Sequence, residues 1–164
     1  MIETQRLLIR PFQAADEKQF LPSLMCSEFM VFSPSGALDR EQAIVRFSEL
    51  VHGPNEKCLG KLALIEKQNT NIIGYCGIEP CEIEGRNCGE LGFRLSLGSR
   101  NKGYATEAAR AILAYEQDRG RKEVVAIAEP DNVLSIHVLF KLGFTKVCHS
   151  SYLGMPVILF ELTM

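Results

Sequence analysis

The sequence predicts an α/β fold in which a mixed sheet carries helices on both faces. Apolar runs of strand length alternate with amphipathic runs of helix length, in the order β-α-α-β-β-β-α-β-α-β-β. The run from Glu123 to Ala128 is apolar at its centre, as expected of a buried parallel strand. Small residues on the apolar stripe of the preceding helix, Tyr104 to Arg119, indicate close packing on that sheet. No repeat or low-complexity tract interrupts the pattern, so residues 1–164 are predicted to form a single domain.

The composition is that of an ordinary globular protein. The 164 residues are enough for one hydrophobic core, and 46% of them are hydrophobic against 23% charged. A net charge of −2 gives no indication of a nucleic-acid partner or of a membrane surface. No apolar run reaches the roughly 18 residues that span a bilayer. The N-terminus is polar from Glu3 onward and has no signal-peptide core, so a cytoplasmic location is expected.

The N-terminal third is predicted to contain one short strand and two helices. The strand covers Leu7 to Ile9, and the first helix runs from Asp16 to Leu24 with an end near Pro22. Asp39, with Gln42 three residues later, is typical of the capping pair that opens a helix. The second helix therefore begins after that pair, and the segment His52-Gly53-Pro54-Asn55 ends it.

Three strands joined by two turns are predicted next. The strands cover Lys61 to Glu66, Ile72 to Ile78 and Glu90 to Leu97, and the turns cover Asn69 to Asn71 and Glu84 to Asn87. Gly74 and Gly77 are expected to weaken the second strand or to mark a bulge in it.

The remainder of the chain is predicted as helix, strand, helix and hairpin. A glycine follows each helix, Gly120 after the first and Gly143 after the second, which opens at Asp131-Asn132. The terminal hairpin pairs Phe144 to Cys148 with Pro156 to Leu162.

The segment Arg100-Asn101-Lys102-Gly103-Tyr104-Ala105 carries the strongest functional signal in the chain. It joins an apolar strand to an amphipathic helix, so backbone N–H groups and the positive end of a helix dipole meet at one spot. This arrangement suits a phosphate group. The segment lacks the paired glycines and the Lys-Ser/Thr ending of a Walker loop, and only one glycine is in register with a dinucleotide fingerprint.

The cysteines and histidines do not predict a metal site. The six cysteines contain no Cys-x-x-Cys pair, and His52, His137 and His149 are scattered along the chain. Reduced thiols, some of them small core residues, are the simpler interpretation.

Several of these segments resemble the GNAT superfamily of N-acetyltransferases. The Arg-x-x-Gly-x-Ala pattern of the turn is similar to that family's acetyl-CoA signature, and Asn132 to Phe144 resembles its second conserved block. Glu3 to Pro11 and Gly103 to Ala108 resemble the RimJ/RimL-like branch, which includes enzymes that acetylate ribosomal-protein N-termini. The resemblance implies a GNAT-like, mostly antiparallel sheet with one splayed, parallel pair of central strands.

The resemblance also implies where acetyl-CoA binds. The pyrophosphate is expected on the backbone amides of Arg100, Asn101, Lys102, Gly103, Tyr104 and Ala105, and the pantetheine alongside Phe93, Arg94 and Leu95. Gly103 lets the backbone approach the phosphate closely. The side chains of Arg100, Lys102 and Lys141 are interpreted as phosphate neighbours or, alternatively, as solvated surface charges. Asn132 is interpreted as a hydrogen-bond partner of pantetheine, as a helix cap, or as both.

The reaction implied is transfer of an acetyl group from a thioester to an amine. The resemblance supplies a backbone N–H near Leu95 for the oxyanion. Many relatives place a tyrosine seven residues after the asparagine as the thiolate's proton donor, but Leu139 stands there in this chain. Ser135 occupies the position where the RimJ/RimL-like branch is thought to offer a hydroxyl, which would hydrogen-bond the sulfur or relay a proton from water. The alternative for Ser135 is a hydroxyl that bonds only to local backbone.

Glu90 is the first candidate for a general base. A carboxylate near the centre of the sheet is placed to accept a proton from an ammonium, directly or through water. An exposed carboxylate at the start of a strand is the alternative interpretation. Glu79, Glu129 and His137 are weaker candidates, and Glu107 is predicted to be structural, near a helix N-terminus. No base is needed if the acceptor is an α-amino group with a pKa of about 8.

The leading functional hypothesis is acetyl-CoA-dependent N-acetylation of a primary amine, on a peptide or protein N-terminus or on a small molecule. A non-catalytic acyl-CoA-binding or sensing module of the same fold is the alternative, because Leu139 replaces the tyrosine. A nucleotide-binding domain unrelated to CoA would make the second motif a coincidence. The acceptor is expected to contact Phe12 to Asn55 and the final hairpin, and the edge strands would support a homodimer without requiring one.

Overall fold

A mixed sheet forms the centre of the computed structural model, which describes residues 1–53 and 59–164. The strands are β1 (Ile2–Glu3), β2 (Leu7–Arg10), β3 (Gly60–Glu66), β4 (Ile72–Ile83), β5 (Arg86–Leu95), β6 (Glu123–Ala128), β7 (Thr145–Tyr152) and β8 (Met155–Thr163). The helices are α1 (Glu17–Leu24), α2 (Ser27–Met30), α3 (Arg40–His52), α4 (Tyr104–Asp118) and α5 (Val133–Leu142). In the described part of the chain the sheet order is β1-β2-β3-β4-β5-β6-β8-β7. Of these neighbours, β5 and β6 are parallel and the other pairs are antiparallel.

The two faces of the sheet bury two different cores, which confirms the predicted fold class. Successive side chains of a strand point to opposite faces. On β3, Leu64 belongs to the core that contains Ile112 of α4. Its neighbour Ala63 belongs to the core built with Phe47 of α3. Helices α1 to α3 therefore cover one face of the sheet, and α4 and α5 cover the other.

The local signals that opened and closed the helices are confirmed where the structure describes them. Asp39 Oδ1 accepts the N–H of Gln42 at 2.8 Å, and Gln42 Oε1 accepts the N–H of Asp39 at 3.0 Å, so the capping box of α3 is present. Gly120 and Gly143 have φ values of +91° and +92°, which suits a glycine after a helix. Helix α3 ends at His52 with Gly53 as its C-cap residue, as predicted, and Pro54 and Asn55 of the predicted ending segment lie outside the described residues.

The first helix is confirmed, and the N-terminal elements differ from the prediction in two places. Helix α1 covers Glu17–Leu24 and contains Pro22, because the burial of Phe20, Leu21 and Leu24 offsets the hydrogen bond that Pro22 does not donate. The two-residue strand β1 and the one-turn helix α2 were not predicted, since elements this short leave little periodicity in a sequence.

The hairpin of β4 and β5 is longer than its sequence pattern predicted. Strand β4 extends to Ile83, β5 starts at Arg86, and the turn between them is reduced to Glu84-Gly85. Both turn residues have positive φ, 52° and 69°, the geometry of a tight two-residue hairpin. The predicted end of β5 at Leu97 is wrong, because that residue lies in a short 3-10 turn, Leu97–Ser99.

The glycine in the first half of β4 marks the bulge that the sequence offered as one alternative. The β3–β4 register shifts between Leu64 and Ile65, next to Gly74. Gly74 has a φ of 152°, and a Cβ there would lie 2.0 Å from the carbonyl oxygen of Arg94. Only glycine therefore fits this close approach of β4 to β5.

Among the described residues, no helix is long and apolar enough to cross a membrane.

Candidate active site

Strands β5 and β6 diverge beyond their one registered parallel pairing, Glu90 with Val125. On its other side β5 stays paired with β4 as far as Leu95, opposite Gly74. The N–H of Ser96 is donated to the carbonyl oxygen of Ile73 on β4 at 2.8 Å. Because backbone groups alternate along a strand, the odd-numbered residues of this segment direct their N–H groups away from β4.

Two of the predicted pantetheine contacts therefore face the opening between β5 and β6. The N–H groups of Phe93 and Leu95 point into it, whereas that of Arg94 points toward β4. The Arg94 side chain contacts helix α2 and the loop after it: Nη1 lies 3.0 Å from Met30 Sδ, and Nη2 donates to the carbonyl oxygen of Phe32 at 3.1 Å. Arg94 thus holds α2 and the loop after it over the end of β5.

The predicted phosphate turn opens helix α4, whose first N–H groups have no partner within the helix. Gly103 is the N-cap residue with a φ of +82°, a conformation that favours glycine. The N–H of Glu107 is donated to the carbonyl oxygen of Gly103 at 3.0 Å. The N–H groups of Tyr104 and Ala105 precede that bond, so they have no partner within the helix. The positive end of the α4 dipole adds to them, and the turn has the geometry of an anion site.

Thr4 and Arg6, in the connection between β1 and β2, contact this turn and the first turn of α4. Glu107 accepts hydrogen bonds from Thr4 Oγ1 at 2.6 Å, from the N–H of Arg6 at 2.9 Å and from Arg6 Nε at 2.7 Å. Arg6 Nη1 donates to the carbonyl oxygen of Lys102 at 2.8 Å, and its guanidinium lies 4.4 Å from the centre of the Tyr104 ring. Burial would raise the pKa of Glu107, but the hydrogen bonds from Thr4 and Arg6 outweigh burial and lower that pKa. The prediction that Glu107 is structural is confirmed.

The predicted basic residues have different surroundings. Arg100 donates from Nε to the carbonyl oxygen of Leu95 at 3.1 Å and from Nη2 to that of Glu28 at 2.6 Å, so its guanidinium connects β5 to α2. Lys102 and Lys141 are exposed. Arg100 and Lys141 line the same groove, and phosphate contact stays a prediction for all three.

The second motif forms the first turns of α5. Asn132 Oδ1 accepts the N–H of Ser135 at 3.2 Å, which confirms the capping role of Asn132 and leaves its contact with pantetheine a prediction. Ser135 is half-buried and lines the groove together with Asn132. Leu139 is only 1% exposed and belongs to the core at the wall of the groove, and its aliphatic side chain has no proton to donate.

A single groove of about 1040 Å³ connects these parts. Its lining includes the turn before α4, the start of α5 and apolar side chains of α1 to α3. The sheet contributes Tyr75 and Glu79 of β4, residues 90–95 of β5, and the residues around the turn between β7 and β8. The N-terminal helices and the final hairpin, which the sequence predicted as acceptor contacts, both contribute to it.

A charged cluster lies on the floor of this groove. Lys61 Nζ is 3.0 Å from Glu90 Oε2 and 3.6 Å from Glu79 Oε2, and the two glutamates are direct partners across β4 and β5. Arg46 of α3 lies 3.6 Å from Glu79. Burial would lower the pKa of Lys61, but the attraction of Glu90 and Glu79 outweighs it and raises that pKa. Glu90 is therefore a partly buried member of an ion-pair network rather than an isolated exposed carboxylate.

Lys61 and Tyr152 are groove residues that sequence reasoning missed. Lys61 had a signal, a lysine in the otherwise apolar run Gly60–Glu66, but nothing in the run indicated which carboxylates it would meet. Tyr152 had none, because it approaches Cys81 from the far end of the sheet. Burial, followed by the neighbouring Cys81, raises the pKa of Tyr152 to about 12.

The described cysteines are free thiols at positions 26, 76, 81, 88 and 148, and Cys58 lies outside the described residues. Burial raises the pKa of Cys76 to about 12. Within the described ranges no group of three or more His, Cys, Asp or Glu side chains is arranged to hold a metal ion.

Comparison with known proteins assigns the family. Residues 6–145 match the acetyltransferase (GNAT) domain model. The chain is 31% identical over 146 residues to the uncharacterized N-acetyltransferase YnaD of Bacillus subtilis, covering 88% of this chain and 82% of YnaD. The chain belongs to the GNAT acetyltransferase family and is an acetyltransferase.

Solved structures of this family share the fold. A GNAT-family acetyltransferase from Bacillus anthracis superposes with a TM-score of 0.83 at 22% identity, covering 99% of this chain and 97% of that one. A ribosomal-protein-S5-alanine acetyltransferase from Vibrio fischeri gives 0.80 at 18% identity, covering 98% and 94%. The microcin C7 self-immunity acetyltransferase MccE, solved with acetyl-CoA and AMP, gives 0.77 at 16% identity, covering 98% and 94%. The GNAT fold predicted from the sequence is confirmed.

Proposed function

We propose that this protein transfers the acetyl group of acetyl-CoA to a primary amine, within a ternary complex in the groove. The observation that carries the proposal is the continuity of three features in one cavity. These features are the opening between β5 and β6, the N–H groups of the first turn of α4, and the carboxylates on the groove floor.

The residues present fit acetyl-CoA. The N–H groups at the start of α4 suit a pyrophosphate, and Gly103 leaves room for it, since a Cβ there would meet only Arg6 Nη2, at 3.4 Å. The N–H groups of Phe93 and Leu95 suit the amide carbonyls of a pantetheine arm lying along β5. MccE, a structural relative, has been solved with acetyl-CoA. We infer that Asn132 and Lys141 contact the same molecule from α5.

The chain's own groups account for each proton and charge of the transfer. An ammonium loses its proton to Glu90 or to water, and the amine nitrogen then attacks the thioester carbon. Of the two β5 N–H groups that face the opening near Leu95, one receives a pantetheine carbonyl and the other stabilises the negative charge that develops on the thioester carbonyl oxygen. The amine nitrogen gives up its second proton to water as the carbon–sulfur bond breaks, and the thiolate takes a proton that Ser135 relays from water. The products are an acetylated amine and CoA.

The RimJ/RimL-like branch and the acceptor belong to the same proposal. The N-terminal motif and Glu107, which the branch resemblance emphasised, lie together in the structure, and one structural relative is a ribosomal-protein-S5-alanine acetyltransferase. We infer a single domain over residues 1–164 and a cytoplasmic location. Peptide N-termini and small amines are both acceptor candidates in this proposal.

The test is amine-dependent release of CoA from acetyl-CoA, with the acetylated product identified by mass. The panel contains peptides with different N-terminal residues, simple alkylamines, polyamines and aminoglycosides. Release of CoA with one acceptor class is expected. Tight acetyl-CoA binding without turnover across the panel would instead identify an acyl-CoA-binding module and contradict the proposal.

A further inference from the structure

Lys61 places a fixed positive charge at the centre of the groove floor. Its side chain is 6% exposed, and its Nζ lies 3.0 Å from Glu90 Oε2 and 3.6 Å from Glu79 Oε2. A third acceptor, the carbonyl oxygen of Gly77, is 3.4 Å away. The ammonium is therefore surrounded by acceptors on β4 and β5 although it originates on β3.

A glycine on β5, Gly92, leaves room for this side chain. Gly77 and Gly92 are direct cross-strand partners. A Cβ on Gly92 would lie 2.4 Å from Lys61 Nζ and 3.1 Å from its Cε. The ammonium thus occupies the space that any larger residue at position 92 would fill. The ammonium is held in this space by its pairs with Glu90 and Glu79.

The charges around Lys61 leave a local excess of one negative charge. Arg46 pairs with Glu49 at 2.9 Å and with Glu79 at 3.6 Å, so it belongs to the same network as Lys61. The network therefore holds three carboxylates, Glu49, Glu79 and Glu90, against two cations. Over the whole groove, the described lining contains five carboxylates and five lysine or arginine side chains. The groove therefore lacks the strongly acidic character that would attract a polycation.

We propose that Lys61 is a built-in countercharge that restricts the acceptor to a single ammonium, so the site takes monocationic primary amines and rejects diamines and polyamines. One acceptor ammonium neutralises the remaining negative charge of the cluster. A second ammonium on the same molecule would be repelled by Lys61 once the first has neutralised the network. This inference rests on the proposed function and names the class of its acceptor.

Apolar groove residues supply the other half of this preference. Phe29, Met30 and Leu38 belong to the core under α1 to α3 or pack against it, and they also line the groove. An apolar substituent on the amine would lie against them and bury surface, whereas a second charge would be desolvated there.

The test compares probes that differ by one ammonium. One pair is pentylamine and 1,5-diaminopentane, and the other is a peptide amide that begins with norleucine or with lysine. The ratio of kcat/KM within each pair is measured. If one probe of a pair is not acetylated, the two probes are compared instead by their inhibition constants against the best acceptor of the panel. We expect wild-type protein to favour the monocation in each pair by about tenfold or more.

Four variants separate charge from structure. Lys61→Met should shift the ratio by about tenfold toward the dication, while Lys61→Arg keeps the charge and should preserve the preference. Gly92→Ala, which displaces the ammonium without removing it, should shift the ratio in the same direction by less. Lys18→Met, an exposed lysine on α1 outside the groove lining, should leave the ratio unchanged. Thermal melts confirm that each variant is folded.

The outcomes distinguish this inference from the proposed function. If no amine is acetylated, the proposed function itself fails. If amines are acetylated but wild-type protein prefers the dications, or if folded Lys61→Met and Gly92→Ala both keep the wild-type ratio, the countercharge proposal is overturned and the enzyme assignment stands.

Discussion

Replacing Glu107 by glutamine should destabilise the protein by about 2 kcal/mol near pH 7. The carboxylate accepts three hydrogen bonds from Thr4 and Arg6, and an Arg6 nitrogen also lies 2.6 Å from Oε2. Hydrogen bonds to a charged group contribute roughly 1.5–3 kcal/mol each, against about 1 kcal/mol for neutral ones. Glutamine keeps one acceptor oxygen, and the Arg6 side chain is 41% exposed, so we discount the sum to about 2 kcal/mol.

The assay is thermal unfolding of wild-type and Glu107→Gln protein as a function of pH. For a chain of this size a loss of about 2 kcal/mol lowers Tm by roughly 4–8 °C. Because the folded-state pKa of Glu107 is depressed below 4.5, the charge contributes stability above that unfolded value. That contribution disappears as the pH falls through the folded pKa, so the gap between the two proteins should narrow below about pH 4.5.

The matched control is Glu17→Gln, a first-turn glutamate of α1 that is exposed to solvent. It should change stability by no more than about 0.5 kcal/mol. A Glu107→Gln protein that melts within about 1 °C of wild type at pH 7 would have almost the wild-type free energy of unfolding, and this result would refute the reasoning. A gap of constant size down to pH 3 would refute it equally.

Three further substitutions test the site. Ser135→Ala should lower kcat by about tenfold or more while leaving acetyl-CoA affinity within about twofold; unchanged turnover in steady-state assays would return Ser135 to a local structural role. Glu90→Gln should lower kcat/KM by roughly 10²-fold at neutral pH, and the loss should shrink as the pH approaches the acceptor's own pKa; a loss independent of pH would argue against a role in proton transfer. Leu139→Tyr should not raise turnover, because the buried side chain would overpack the core at a cost of about 1–3 kcal/mol; a faster folded enzyme would contradict the placement of Leu139.

Local sequence signals predicted much of the fold. The capping pair Asp39 and Gln42, the glycines that follow α4 and α5, and the turn before α4 each depend on residues close together in the chain. Such signals survive in the folded protein because the interactions they describe are themselves local. The same reasoning located the candidate cofactor turn correctly at the start of a helix.

The parts that were missed depend on residues far apart in the sequence. The extension of β4 to Ile83 comes from pairing with β5, which overrides the helix- and strand-breaking appearance of Pro80. Lys61 meets Glu90 only because β3, β4 and β5 lie side by side and Gly92 leaves space above the sheet. The charge of each residue was readable from the sequence, but their pairing was not.

The most direct test of the account is the affinity for acetyl-CoA of wild-type, Gly103→Asp and Gly120→Asp protein, measured by titration calorimetry. Both glycines flank α4 with positive φ, +82° and +91°, so the two substitutions introduce comparable backbone strain, while only the first places a negative charge at the turn. We predict that wild type and Gly120→Asp bind with similar affinity and that Gly103→Asp binds at least about thirtyfold more weakly. No binding by wild type, or equal binding by folded Gly103→Asp and Gly120→Asp, would contradict the placement of acetyl-CoA at this turn.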